Sequence, residues 1–86
     1  MAEKETLALY HYTGCGFCTR VRSAAEELGV ELELRNIHED SQHAEALAAA
    51  MGRMTVPVLC IREATGDIRW LPESEDIIDY LEELVG

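Results

Sequence analysis

The chain has 86 residues, 48% of them hydrophobic, and this length and composition favour one folded domain over residues 1–86. Its 17 acidic residues against 7 basic ones give a net charge of −10, which disfavours nucleic acid and anionic membranes as partners because both require a basic face. No apolar run approaches the ~18 residues of a membrane helix, and the acidic start Met-Ala-Glu-Lys-Glu is not typical of a secretory signal, so we expect a cytoplasmic monomer.

The first half of the chain predicts a β-α-β unit. Residues 6–11, "TLALYH", alternate well enough for a strand. Apolar residues then recur at helical spacing as far as Gly29, which can end that helix, and residues 31–37 alternate again as a second strand. Because a β-α-β unit returns the chain in the same direction, these two strands are expected to be parallel.

The second half predicts a helix followed by two close strands. Asp40 or Ser41 can cap a helix that ends before Gly52. The near-continuous apolar run 56–61, "VPVLCI", is typical of a buried strand, and a turn separates it from a short partner strand over 68–71. Two strands this close in sequence are expected to pair antiparallel.

A third helix closes the chain. Ser74 can cap it, and Glu75 and Asp76 suit the positive end of its dipole. Its expected buried face consists of Ile77, Ile78, Leu81, Leu84 and Val85. The complete order, β-α-β-α-β-β-α, predicts an α/β fold with a four-stranded mixed sheet flanked by three helices.

The stretch 13–20, "TGCGFCTR", carries the chemistry. Cys15 is expected between the first strand and the first helix, where unpaired N–H groups and the helix dipole favour an anion. A thiolate is such an anion, and it is the nucleophilic form of cysteine. Cys18 follows one turn later, within disulfide reach. We therefore expect Cys15 to attack a disulfide and Cys18 to resolve the product.

A metal half-site and a structural disulfide are the competing interpretations. Zinc usually takes four ligands, and the sequence has no second Cys-x-x-Cys, while His38 and His43 lie far along the chain. A disulfide across so small a loop would stabilise the fold least. Cys60 lies in an apolar strand and is expected to be an inert core cysteine. A Cys-x-x-Cys within a β-α-β pattern favours redox chemistry instead.

The stretches "LYHYTGCGFCTRVRSAAEELGV" and "MTVPVL" together resemble a glutaredoxin, a family with the thioredoxin-like fold. The later stretch "LPESEDIIDYLEEL" resembles the glutathione-binding end of the N-terminal domain of a glutathione transferase, and the two families share this domain. Transferases add a helical second domain, for which 86 residues leave no room, so a transferase is disfavoured unless the chain is a fragment. The resemblance implies a single glutaredoxin-like domain that reduces protein–glutathione mixed disulfides and protein disulfides, with glutathione as reductant.

The resemblance also implies a glutathione-binding groove. Its expected residues, besides the two cysteines, are Phe17, Arg53, Thr55, Val56, Pro57, Glu73 and Ser74. Pro57 would be a cis-proline facing Cys15, and not an ordinary trans proline at a strand start. Val56 would offer its backbone N–H and C=O to the cysteinyl part of glutathione. Glu73 and Ser74 would receive the γ-glutamyl end, with Phe17 packing beside the tripeptide.

Two positions depart from the glutaredoxin pattern. Tyr12 stands where many glutaredoxins have lysine, and Leu71-Pro72 stands where they have a Gly-Gly pair. The missing lysine removes a cation that could meet the glycine carboxylate of glutathione, which the acidic protein otherwise repels. Arg53 is the expected replacement, with Arg20 and Arg22 as weaker candidates.

Two other functions remain open at this point. One is a thioredoxin-like electron carrier served by a flavoprotein reductase. The other is a non-enzymatic [2Fe–2S] carrier, because residues 15–18, "CGFC", resemble the Cys-Gly-Phe-Ser signature of cluster-carrying glutaredoxins. In that family two monomers each give their first cysteine and two glutathione thiolates complete the ligands. The favoured oxidoreductase needs no tightly bound cofactor.

Overall fold

Seven elements follow one another in the predicted order. The structure is a computed structural model that describes residues 5–85, so residues 1–4, on which the expectation about a secretory signal depends, lie outside this range, as does Gly86. The elements are β1 Thr6–His11, α1 Gly16–Leu28, β2 Glu33–Asn36, α2 Ser41–Met51, β3 Val58–Arg62, β4 Ile68–Pro72 and α3 Ser74–Val85. Within the described residues no helix has the length and apolar character needed to cross a bilayer.

The four strands form one mixed sheet in the order β2-β1-β3-β4. β1 pairs parallel with β2 and antiparallel with β3, and β3 pairs antiparallel with β4. Tyr10 lies opposite Val58, which in turn lies opposite Pro72. The end of β1, the start of β3 and the end of β4 therefore lie at the same end of the sheet, which is called here the site end. The predicted α/β, thioredoxin-like fold is confirmed.

Two hydrophobic clusters cover the two faces of the sheet, because successive strand residues point to opposite sides. Leu7 and Leu9 of β1 pack with α1 and α3, whose buried residues include Val21, Ala25, Ile77 and Leu81. Ala8 and Tyr10 point the other way and share a cluster with Leu47 of α2, Val58 and Cys60. Both α1 and α3 therefore lie on one face of the sheet and α2 lies on the other.

Local signals at the helix ends act as the sequence predicts. Gly29 ends α1 in the left-handed conformation with φ 74°, which a residue without a side chain adopts at little cost. Asp40 caps α2, where its carboxylate accepts a hydrogen bond of 2.9 Å from the N–H of Gln42. Both helices therefore have their ends fixed by single residues that can be identified in the sequence.

The predicted bounds of two strands and the predicted burial of two residues of α3 were wrong. β2 covers only residues 33–36, because its ladder to β1 begins at the pair Ala8–Glu33. β3 begins at Val58 and leaves Val56 and Pro57 outside the ladder. Leu84 and Val85 of α3 are 44% and 52% exposed, because they border an open pocket at the end of the sheet opposite the site end.

Candidate active site

Cys15 is the N-cap residue of α1, as predicted. Its backbone is extended, with φ −83° and ψ 115°, and its Sγ accepts a hydrogen bond of 3.3 Å from the N–H of Cys18. Its own N–H donates to the C=O of Tyr12 at 3.3 Å, which ties the cysteine loop to the end of β1. The sulfur therefore sits at the positive end of the helix, where a negative charge is favoured.

Cys18 occupies a different environment from Cys15, although both are free thiols. Cys18 is 1% exposed and Cys15 is 8% exposed. Burial, followed by the hydrogen bond with Cys15, raises the pKa of Cys18 to about 12. Cys18 is therefore held as a neutral thiol while Cys15 has the donor that a thiolate needs.

The segment before β3 lies beside the cysteine loop. The β1–β3 ladder ends at Tyr10–Val58, and beyond it Val56 packs against the same hydrophobic cluster as Tyr12, whose C=O accepts the hydrogen bond from the N–H of Cys15. The Val56–Pro57 peptide bond is cis, as the resemblance implies. Pro57 is buried, whereas Thr55 and Val56 are half-buried. The backbone of Val56 thus lies at the site end without a place in the sheet.

Glu73 makes the turn from β4 into α3. Its φ is 76°, a left-handed conformation that is uncommon for a residue with a side chain. Its C=O accepts the first bond of α3, from the N–H of Ile77 at 3.0 Å, so Glu73 is at the cap position. The prediction that Ser74 caps the helix was wrong: with no loop between β4 and α3, Ser74 is already the first helical residue, and it is buried.

One shallow pocket joins the first turns of α1 and α3. Phe17, which is 60% exposed, lines it together with Arg20, Glu73 and Ser74, and Glu75 and Asp76 complete its wall. The structure thus brings together three residues that the resemblance places in the glutathione groove. Arg53 lies outside this pocket, in the exposed segment between α2 and β3.

Comparison with known proteins decides the family. Residues 9–86 match the family described as glutathione S-transferase, N-terminal domain. The chain belongs to this family. Glutaredoxin 2 of Escherichia coli strain K12 is 31% identical over 80 residues, which are 93% of this chain and 34% of that protein. The predicted resemblance to both glutaredoxins and transferases is confirmed.

Solved structures agree with this membership. Maleylacetoacetate isomerase from Anaeromyxobacter dehalogenans 2CP-1, with bound dicarboxyethyl glutathione and citrate in its active site, superposes with a TM-score of 0.74 at 31% identity, over 98% of this chain and 39% of that one. Glutaredoxin 2 from Salmonella typhimurium in complex with glutathione superposes with a TM-score of 0.75 at 28% identity, over 96% and 35%. This transferase-family domain spans about a third of the length of the curated relatives it matches.

His11 is a residue of the site end that sequence reasoning missed. It is 5% exposed, and its Nδ1 has no hydrogen-bond partner within residues 5–85. Burial, and then the nearby charge of Arg22, lower the pKa of His11 below its ordinary value. The only sequence signal was a polar residue that closes an apolar strand directly before the cysteine loop. Arg22, the other weaker cation candidate, lines a pocket with His11 and not the Phe17 pocket.

Cys60 lies apart from this site. It belongs to β3, on the face of the sheet that α2 covers, and it is 9% exposed. Burial raises the pKa of its thiol, which is the environment expected for a core cysteine. Within residues 5–85 no group of three or more His, Cys, Asp or Glu side chains is placed to hold a metal ion.

Proposed function

We propose that this transferase-family domain is a glutaredoxin-type oxidoreductase that exchanges thiols and disulfides with glutathione. The observation that carries the proposal is the Cys15 sulfur at the N-cap of α1, where it accepts a hydrogen bond from the Cys18 N–H. Its substrates would be protein–glutathione mixed disulfides and protein disulfides. Two family relatives whose structures contain glutathione or a glutathione conjugate support glutathione as the small-molecule partner.

The first chemical step is attack by the Cys15 thiolate on the glutathione sulfur of a mixed disulfide. The S–S bond of the substrate breaks, the protein thiolate leaves, and glutathione is joined to Cys15. The N–H of Cys18 and the start of α1 stabilise the sulfur while it is negative. A second glutathione can then attack this adduct, releasing oxidised glutathione and the Cys15 thiolate.

Three parts of the site end suit the binding of glutathione. The backbone of Val56, outside the β3 ladder, can pair with the cysteinyl residue as an added strand would. Glu73 and the first turn of α3 can bind the amino and carboxylate groups of the γ-glutamyl end. Phe17 can cover the tripeptide with its exposed ring.

The second chemical step separates dithiol from monothiol turnover. When Cys15 attacks a protein disulfide it forms a mixed disulfide with the substrate, and Cys18 then attacks Cys15, closing the Cys15–Cys18 disulfide and releasing the substrate thiolate. The same closure on the Cys15–glutathione adduct releases glutathione. Because burial and the Cys15 hydrogen bond raise the pKa of Cys18 to about 12, this closure needs help with the Cys18 proton. As part of this proposal, the domain acts as a single unit and a monomer in the reducing cytoplasm, where such a disulfide is transient.

A glutathione-coupled assay on three proteins tests the proposal. The wild type should reduce both a glutathionylated peptide and a protein disulfide. Cys15→Ser should abolish both activities, whereas Cys18→Ser should keep deglutathionylation and lose most reduction of the protein disulfide. Equal loss of deglutathionylation in the two variants would contradict the proposed roles. Efficient reduction by thioredoxin reductase without any response to glutathione would favour a thioredoxin-like carrier instead.

A further inference from the structure

His11 is a buried titratable group that the proposed reaction has not yet used. Its side chain is enclosed at the end of β1, and Nδ1 is without a partner in the described part of the chain, residues 5–85. A buried polar nitrogen left unpaired destabilises the fold, because it loses its hydrogen bond to water. Such a group calls for a specific explanation.

His11 lies on the face of the sheet that α1 covers. Leu7, Leu9 and His11 alternate onto one face of β1, and the two leucines share a cluster with Val21 and Ala25. In a β-α-β unit the helix runs back along its strand. His11 also lines a pocket with Arg22 of α1. Arg22 follows Cys18 by four residues, so the two side chains lie one turn apart on the same side of the helix.

Cys18 is the most buried residue in the first turn of α1. The charge of Arg22 acts to lower the pKa of both Cys18 and His11. Two protonatable groups thus lie in the interface between α1 and the sheet around Arg22, one a thiol and the other an imidazole with an unpaired nitrogen.

We propose that His11 accepts the thiol proton of Cys18 when Cys18 attacks the Cys15–glutathione adduct. This inference rests on the proposed function. The S–H bond of Cys18 breaks and its proton passes to Nδ1 of His11, while the sulfur forms a bond to Cys15. The bond between Cys15 and glutathione breaks, and the glutathione thiolate leaves. The imidazolium then returns its proton to the departing thiolate, so the products are an internal disulfide and glutathione.

The charges around His11 suit a base that is neutral at rest. Burial and Arg22 hold the pKa of His11 below its ordinary 6.5, so the ring is free to take a proton at pH 7. Arg22 faces it from α1 and Glu39 faces it from the segment before α2, where the carboxylate favours the protonated ring. Asp40 and His43 of the α2 start line the same pocket.

The decisive measurement is the rate at which glutathione leaves the Cys15 adduct as the disulfide closes. Reduced protein is mixed with oxidised glutathione, quenched with acid and analysed by mass spectrometry, so that adduct formation and closure are separate phases. At pH 7 His11→Gln should close about 100-fold more slowly than the wild type, as expected when a general base is removed. His43→Gln, a histidine of the same pocket, should close at the wild-type rate.

The pH profile separates proton transfer from a merely structural effect. The rate of disulfide closure in the wild type should be nearly constant from pH 7 to 8 and should fall at lower pH as His11 becomes protonated. In His11→Gln it should rise about tenfold per pH unit up to pH 9, because closure then depends on the scarce thiolate of Cys18. Identical rates and profiles for the two proteins would overturn the role of His11. Absence of any Cys15 adduct in either protein would instead overturn the proposed function.

A measurement on the wild type covers the case in which His11→Gln does not fold. The imidazole nitrogens are observed by NMR in the reduced protein and after closure of the Cys15–Cys18 disulfide. Loss of the Cys18 thiol should shift Nδ1 of His11 more than any nitrogen of His38 or His43. Unchanged His11 nitrogen shifts would overturn the proposal without reference to any variant.

Discussion

The backbone N–H of Cys18 points at the sulfur of Cys15, with 3.3 Å between the nitrogen and Sγ. The bond makes the two cysteines unequal although only two residues separate them. Cys15 gains a donor for its negative form, whereas Cys18 turns its own sulfur into the protein interior and is 1% exposed. Helix geometry and burial thus distinguish Cys15, the proposed nucleophile, from Cys18, the proposed resolving thiol.

Burial of Cys18 makes stability depend on pH in the alkaline range. Burial and the Cys15 hydrogen bond raise the pKa of Cys18 from 9.0 to about 12. As pH rises, the unfolded chain therefore loses the Cys18 proton before the folded protein does. The contribution of the neutral Cys18 thiol to the free energy of unfolding is fully present below pH 9 and is lost as pH rises toward 12.

Cys18→Ala removes this dependence and provides the test. Under a reducing agent, urea unfolding at pH 8 and pH 11 should show the wild-type free energy of unfolding falling relative to Cys18→Ala. The slope can reach about 1.4 kcal/mol per pH unit. Cys60 and Tyr80, whose pKa values are also raised, are present in both proteins and cancel in the comparison. The prediction would be contradicted if the difference in free energy of unfolding between the wild type and Cys18→Ala were the same at both pH values.

Short-range signals account for what the sequence predicts well. The bounds of β1, the cap at Asp40 and the end of α1 at Gly29 each depend on a few neighbouring residues. The position of Cys15 could be predicted in the same way. Because the first helix follows the first strand after a short loop, the residue directly before the helix, Cys15, is its N-cap. The confirmed fold class follows from the order of elements and the preference for right-handed crossovers.

Features set by distant contacts were missed. Helical periodicity predicted Leu84 to be buried, but burial depends on what lies opposite the last turn of α3. The left-handed turn at Glu73 arises because β4 runs directly into α3, which no pattern in "LPES" reveals. Alternation along β1 could have placed His11 on the α1 face, but its unpaired nitrogen is a property of the packed structure.

The conformation of Glu73 predicts opposite effects of one substitution on stability and on binding. A residue with a side chain pays about 1–2 kcal/mol for a left-handed backbone, and glycine does not. After the greater chain entropy of glycine is subtracted, Glu73→Gly should leave stability unchanged or raise it by up to about 1 kcal/mol. The same variant should raise the KM for glutathione severalfold, because the γ-glutamyl end loses a carboxylate partner.

Glu75→Gly is the matched control for that variant. Glu75 lies two residues later, in the first turn of α3, where glycine should destabilise by about 1 kcal/mol. Thermal unfolding and glutathione kinetics on both variants check the prediction. Loss of stability in Glu73→Gly as large as in Glu75→Gly would show that its left-handed backbone is not costly.

The two candidate cations should differ in their effect on glutathione. Arg20 shares its pocket with Glu73, Glu75 and Asp76, which compensate its charge. Neither arginine forms an ion pair within residues 5–85, but Arg53 lies outside this acidic pocket, so its charge is available to the glycine carboxylate. Arg53→Gln should raise the KM for glutathione about 2–10-fold with kcat unchanged, consistent with one exposed or partly exposed charge contact. Arg20→Gln should have the smaller effect, and the reverse order would identify Arg20 as the cation.

The "CGFC" sequence also allows a direct test of cluster binding against thiol exchange. A cysteine thiolate is both a nucleophile and an iron ligand. A Cβ added at Gly16 would meet open space, so the loop beside Cys15 is uncrowded. Cys18 opposes cluster binding, because it can close a disulfide with Cys15 and remove the ligand.

Anaerobic reconstitution of the wild type with iron, sulfide and glutathione should therefore leave a colourless monomer, measured by visible absorption and gel filtration. Cys18→Ser, which removes the competing thiol, is the variant in which a cluster should form first. A brown wild-type dimer that is lost in Cys15→Ser and kept in Cys18→Ser would show that this domain carries a cluster, against the oxidoreductase proposed here.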